Sequence, residues 1–209
     1  MRKISYTSIG LFLSLMALAS TASATGFGGY LNLESGSGTE TAEVDDRNSY
    51  ETDMNYSGGG LGFTLDNALR DERPVNYRFA IGLDSLTKEY NDADEDSTGI
   101  AMTHAWGFGL IRKQKFRVWI GPEIKVGFYA GSEDYGNSSS DWVLLRLGGG
   151  PVVGFNFAVA RHLVLSVTAG VMYNNVSGFG TISSYYDDVS YTTTDKFSNV
   201  FCNLSFFID

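Results

Sequence analysis

Eight segments of the chain alternate apolar residues with polar or small ones, and this repeated pattern most constrains the fold. In residues 116–129, FRVWIGPEIKVGFY, every second position from Phe116 to Phe128 is apolar, and the positions between include both charge signs. Alternation with a period of two predicts a β-strand, here roughly twice as long as the usual strand of a globular protein. The predicted strands span residues 27–34, 56–65, 75–86, 100–111, 116–129, 142–157, 163–173 and 197–207.

The connections between these strands are alternately long and short. Those after the second, fourth and sixth strands span only residues 66–74, 112–115 and 158–162, whereas the others are long and polar. Short periplasmic turns, long outer loops and an even number of strands are typical of bacterial transmembrane barrels. The sequence therefore predicts an all-β fold, an eight-stranded antiparallel transmembrane up-and-down β-barrel with short periplasmic turns and long extracellular loops.

Aromatic residues on the apolar face of the strands collect near the short-turn ends. They are Phe27, Phe63, Tyr77, Trp106, Phe108, Phe116, Phe155, Phe157 and Phe206. Such rings gather where lipid meets water, so this row is the expected lower aromatic girdle. A soluble secreted β protein is the alternative, but its core gives no reason to place the rings in one band.

The first residues are typical of a targeting segment. Arg2 and Lys3 provide a positive start, residues 9–19 are apolar, and Ala22-Ser23-Ala24 is a small-residue cleavage site. We therefore predict a signal peptide over residues 1–24, one barrel domain over residues 25–209, and location in the cell outer membrane. The net charge of -9 makes nucleic acid an unexpected partner, because phosphate binding needs a basic surface.

Two Gly-Pro strands and the last strand resemble those of a known group. The signal segment, "WIGPEIKVGFY", "GGGPVVGFNF" and the aromatic-rich "NVFCNLSFF" look like the small OmpA/OmpX-like outer-membrane β-barrel family. The resemblance covers essentially all of the mature chain. It implies insertion by the barrel-assembly machinery and a monomer surrounded by outer-membrane lipid and lipopolysaccharide.

If one strand face meets lipid, the other faces the lumen and carries seven charges. They are Glu34, Arg78, Asp84, Arg117, Glu123, Lys125 and Arg146. An eight-stranded barrel is just wide enough to be filled by side chains, and buried charges are tolerated only when they are paired. We therefore predict a lumen ion-pair network that fills the barrel; an ion path or narrow pore is the alternative.

The long connections are acidic and point to a surface role. Their acids are Glu40, Glu43, Asp45, Asp46, Glu51, Asp53, Glu89, Asp92, Asp94, Glu95, Asp96, Glu133, Asp134, Asp141, Asp187, Asp188 and Asp195. Such acidic loops can serve only to resist aggregation. Alternatively, they contact a basic extracellular partner, or bind lipopolysaccharide through divalent cations. The Asp92, Asp94, Asp96 spacing begins like an EF-hand, but Ser97 and Thr103 stand where its glycine and glutamate belong. No metal site or cofactor is predicted.

Catalysis has one weak candidate, His104 on the lipid face with Ser85 as a conceivable neighbour. The lipid A deacylases of the outer membrane place a serine two residues after the histidine, and here that residue is Trp106. We therefore expect no enzyme activity. The predicted function is structural or surface-interacting, in envelope integrity or adhesion, with a narrow pore as the alternative and a lipid-modifying enzyme third.

Overall fold

Eight long strands form the protein in a computed structural model that describes residues 26–44, 48–70, 73–90, 94–134, 136, 138–184 and 188–208. The predicted signal peptide lies outside the described residues. The strands are β1 (Gly26–Val44), β2 (Asn48–Asp66), β3 (Val75–Glu89), β4 (Asp94–Lys113), β5 (Phe116–Asp134), β6 (Ser138–Ala160), β7 (Leu163–Ser184) and β8 (Asp188–Ile208). Neighbours in sequence pair antiparallel, and β8 pairs with β1 to close the barrel. The predicted eight-stranded antiparallel barrel is confirmed.

An apolar belt surrounds the outside of the barrel from the short-turn end upward. Its exposed side chains include Phe27, Leu31, Leu33, Leu61, Phe63, Ile81, Leu83, Ile100, Phe108, Leu110, Ile120, Ile124, Phe128, Val143, Leu147, Phe157, Val171, Tyr173, Val200 and Phe206. Leu33, for example, is 72% exposed although it is a large aliphatic residue. A continuous apolar band on a barrel exterior is the surface that lipid covers.

Above the belt, the strands continue in what we call the outer extension: residues 35–44, 48–57, 85–89, 94–98, 130–134, 138–141, 175–184 and 188–198. The predicted outer ends are wrong here, since β1 continues to Val44 and β7 to Ser184. Most of the acidic residues assigned to long loops therefore lie on paired strands. In this region the outward side chains are mostly polar, so the alternation of apolar and polar residues that predicted the strands is absent. The backbone hydrogen bonds between the strands nevertheless continue.

The inward phase of the predicted strands is confirmed. Side chains assigned to the lumen are buried, including Tyr30, Thr64, Asn76, Ser166 and Asn199. Within the described ranges, no helix is both long and apolar enough to cross a membrane.

Candidate functional site

Four of the predicted lumen charges meet in a central cluster. The Glu34 carboxylate accepts hydrogen bonds from both terminal nitrogens of Arg146, at 2.9 Å for the Nη2–Oε2 pair. Lys125 Nζ lies 3.2 Å from Glu34 Oε1 and 2.6 Å from Asp84 Oδ2. The Tyr129 hydroxyl also donates to Asp84, at 2.6 Å. The cluster connects β1, β3, β5 and β6, so it holds facing walls of the barrel together.

Glu123 lies beside this cluster and lines a small cavity of about 20 Å³ with Tyr30, Thr103 and Lys125. A polar cavity of that size has room for about one water molecule. The structure thus brings Glu123 next to the central cluster, without a direct ion pair among the contacts seen in the described residues.

The remaining two predicted charges belong to a lower cluster. Arg78 forms an ion pair with Asp66, at 2.8 Å, and donates to Ser166 Oγ at 3.0 Å. Arg117 donates to the Asn76 side chain at 3.3 Å. Asp66 was assigned to a turn, but it is the last residue of β2 and sits directly opposite Arg78. Continuing the inward phase from Thr64 by two residues would have identified it.

An apolar layer separates the two clusters. It consists of Ala105, Trp119, Val152, Met172 and Phe201. The Arg78 guanidinium lies over the Trp119 ring, 5.2 Å from its centroid, whereas Met172 and Phe201 face the central cavity. The lumen charges are therefore two separate groups rather than one continuous network.

An upper cluster, which the sequence had assigned to loops, lies inside the outer extension. Lys88 Nζ is 2.7 Å from Glu40, 3.0 Å from Asp195 and 3.8 Å from Glu95, and Lys88 is only 1% exposed. Burial raises the pKa of Asp195 to about 6, against the opposing pull of Lys88. Burial alone lowers the pKa of Lys88, but the surrounding carboxylates outweigh it and the pKa is raised. Three acids thus share one cation.

A second apolar layer separates the upper cluster from the central one. Its members are Met54, Tyr56, Leu86, Tyr129, Trp142, Leu144, Val176 and Phe197. Tyr56 stacks on Phe197 with ring centroids 3.7 Å apart, and the Arg146 guanidinium lies 5.1 Å from the Phe197 centroid on the other side. The lumen is thus filled by alternating charged and apolar layers.

A third apolar group fills the lower mouth. Leu69, Val164 and Phe207 pack together there, and each is almost fully buried. Next to Leu69, Arg70 donates to the carbonyl oxygens of Ala160 at 2.6 Å and Arg161 at 2.7 Å. The β2–β3 connection is thereby fastened across the mouth to the β6–β7 turn.

The conceivable pair of His104 and Ser85 does not form. Ser85 is opposite Thr98, whereas His104 is opposite Phe79, six residues away along β3, or about 20 Å. The Ser85 hydroxyl donates to the Gly59 carbonyl at 3.0 Å. His104 Nδ1 lies instead 2.6 Å from the Tyr77 hydroxyl. A nucleophile and its base must be within hydrogen-bond reach, and Ser85 lies far outside that reach of His104.

Among the described residues, the pairing of β2 with β3 stops short of the outer end of β2. Their pairing ends at Asn55 and Glu89, and within the described part of the chain residues 48–54 have no strand partner on the β3 side. An open groove of about 580 Å³ lies at this edge, and Asp53, Glu89 and Asp94 are among its lining residues. Across the described ranges, no group of three or more His, Cys, Asp or Glu side chains is arranged to hold a metal ion.

Comparison with known proteins identifies the fold. No protein-family model and no curated protein matches the chain. The solved structure of the outer membrane protein OprG from Pseudomonas aeruginosa is similar, with a TM-score of 0.52 and 11% identity over 89% of this chain and 98% of that one. A major outer membrane protein from Thermus thermophilus has a TM-score of 0.47 and 12% identity, covering 84% of this chain and 98% of its own.

At such identities the likeness shows the fold alone. The apolar belt is separate evidence, because it makes this barrel one that lies in a membrane, and barrels of this kind are proteins of the outer membrane. The chain is therefore an eight-stranded β-barrel protein of the outer membrane.

Proposed function

We propose that this protein is a surface-contact protein of the OmpA/OmpX-like type, with a filled lumen and an acidic outer extension that binds a basic partner. The carrying observation is the groove at the β2 edge, where three carboxylates lie beside a stretch of β2 that has no partner on its β3 side among the described residues. The proposed role is adhesive or structural, and His104 has no catalytic part in it. The short turns face the periplasm, so the outer extension faces the outside of the cell.

The groove fits an extended peptide with basic side chains. On the side away from β1, residues 48–54 have no strand partner among the described residues, and an extended segment adds to such an edge by main-chain hydrogen bonds. Asp53, Glu89 and Asp94 supply negative charge beside it. A second copy of this chain would bring the same acids against themselves, and like charges suppress such pairing.

A peptide-binding assay tests this proposal. We expect a short peptide of alternating lysine and threonine to bind the refolded protein, and a glutamate–threonine peptide not to bind. The triple variant Asp53→Asn, Glu89→Gln, Asp94→Asn should weaken binding by about tenfold or more. Backbone N-methylation of the peptide should also weaken it, because edge pairing needs main-chain donors.

The matched control neutralises three acids on another part of the wall: Glu133→Gln, Asp134→Asn and Asp141→Asn. We expect this variant to bind nearly as well as the wild type. Equal losses in both triple variants would mean that diffuse charge, and not the groove, attracts the peptide. Both variants should keep the different migration of boiled and unboiled samples that a stable barrel gives on a detergent gel.

The narrow pore is tested separately. Because apolar layers alternate with paired charges along the lumen, we expect no steady single-channel conductance in a planar bilayer. Reproducible conductance steps would contradict the filled lumen and favour the pore.

A further inference from the structure

A second groove lies at the opposite, periplasmic end of the barrel. It has a volume of about 590 Å³ and lies where the β4–β5 turn, the β6–β7 turn and the β2–β3 connection meet. Gln114 and Lys115 come from the first of these, Arg161 from the second and Arg70 from the third. Residues 158–160 form the remaining wall. Three parts of the chain distant in sequence thus bring three cations to one place.

The described residues that line the groove include three cations and no acid. Arg70 donates to the carbonyl oxygens of Ala160 and Arg161, which hold it in position. Lys115 and Arg161 are exposed. Arginine and lysine side chains arranged in this way recognise phosphate oxygens by charge-assisted hydrogen bonds.

The groove also adjoins the apolar belt. Lys115 is followed directly by Phe116, whose ring packs on Phe157 with centroids 5.0 Å apart. Val159, in the groove wall, is 63% exposed. A ligand in this place meets cations at one end and lipid-facing rings at the other. Free phosphate would use the cations alone, whereas an amphiphile uses both.

We propose that this groove binds the headgroup of an anionic phospholipid in the periplasmic leaflet. The phosphate lies against Lys115 and Arg161, and the acyl chains run from there into the membrane along Val159, Phe157 and Phe116. Basic pockets at the edge of a membrane protein bind anionic lipid headgroups by the same physics. This site is at the other end of the barrel from the acidic groove and does not depend on it.

Native mass spectrometry of the detergent-solubilised full chain tests the proposal with dioleoylphosphatidylglycerol, dioleoylphosphatidylcholine and inorganic phosphate as probes. We expect phosphatidylglycerol to bind more tightly than phosphatidylcholine. The double variant Lys115→Gln, Arg161→Gln should lose about tenfold or more of that affinity. Val159→Asn should weaken lipid binding and leave inorganic phosphate unaffected.

The control is Lys113→Gln with Lys196→Gln, which removes the same charge from exposed positions outside the groove. We expect it to bind phosphatidylglycerol within about twofold of the wild type. Equal losses in the two double variants, or equal binding of the two lipids, would overturn the proposal. Full displacement of the lipid by inorganic phosphate, with no effect of Val159→Asn, would also overturn it and indicate a phosphate site. Heat-dependent gel migration confirms that each variant is folded.

Discussion

The lipid-spanning part of the barrel and the outer extension differ mainly in the side chains that they expose outward. In the lipid-spanning part, apolar side chains face outward, and the lumen holds the central and lower charged clusters with an apolar layer between them. In the outer extension, the outer face is more polar, and the interior again combines apolar residues such as Leu86 and Phe197 with a charged cluster around Lys88. On β8 the outward side chain changes from Val200 in the belt to the exposed Lys196 in the outer extension. The interiors of the two parts are therefore built alike, and the outward side chains report which solvent surrounds the strand.

The comparison predicts that polar pairing matters most within the lipid-spanning part. Arg146→Ala leaves the buried Glu34 carboxylate without its main cation. Removing one partner of a buried pair costs about 3–5 kcal/mol, so we expect a comparable fall in the free energy of unfolding. Urea unfolding in lipid vesicles measures it, with the exposed Lys196→Ala as the control at about 0.5 kcal/mol or less. Similar losses in the two variants would show that the central cluster does not hold the walls together.

Apolar packing should matter more inside the outer extension than on the belt. Leu86 is 1% exposed inside the barrel, and Leu83 on the same strand is 60% exposed toward lipid. We expect Leu86→Ala to lower the free energy of unfolding by about 2–5 kcal/mol through the cavity it creates. Leu83→Ala, where lipid fills the space, should cost clearly less. The reverse order would mean that the interior of the outer extension is loosely packed.

The same charge should be costly on the belt and tolerated above it. Ile124 lies on the belt, and Ser132 lies on the outer extension of the same strand, where its side chain is also exposed. An arginine facing lipid near mid-depth costs about 2–4 kcal/mol, so Ile124→Arg should destabilise the barrel by that amount. Ser132→Arg should change stability by about 0.5 kcal/mol or less. Equal effects of the two substitutions would mean that the apolar belt does not mark the boundary of the membrane.

The upper cluster should make stability depend on pH. Burial raises the pKa of Asp195 to about 6 from its ordinary 3.8, so the folded state binds a proton more tightly than the unfolded chain does. Its stabilising effect is present below about pH 4 and is lost as the pH rises through about 6. We expect wild type to lose about 1–3 kcal/mol across that interval relative to Asp195→Asn. Parallel pH profiles for the two proteins would contradict the raised pKa.

The sequence predicted the lipid-spanning part of the barrel, where every second side chain is apolar because it faces lipid. The inward phase of Glu34, Asp84, Lys125 and Arg146 follows directly from the apolar residues beside them. The outer extension was missed because its exposed positions, such as Ser35 and Ser37, are polar. In that region the strands are held by pairing with their neighbours, for example Gly36 of β1 with Tyr56 of β2. The sequence of one strand alone does not reveal such pairing.

Which charges pair could not be predicted, because that depends on the stagger of strands around the closed barrel. Glu34 and Arg146 are 112 residues apart in sequence. Lys88 was expected in a loop, yet the extended strands carry it inward to meet Glu40 and Asp195. Asp66 was within reach of sequence reasoning, since only the assumed end of the second strand excluded it.

The contact of Arg70 with the β6–β7 turn has a consequence for biogenesis. Arg70 and the carbonyl oxygen of Arg161 are separated by 91 residues. This contact therefore needs both the β2–β3 connection and the β6–β7 turn in place, whichever of them forms first. A barrel that lacked either hairpin would lack this closure of its periplasmic mouth.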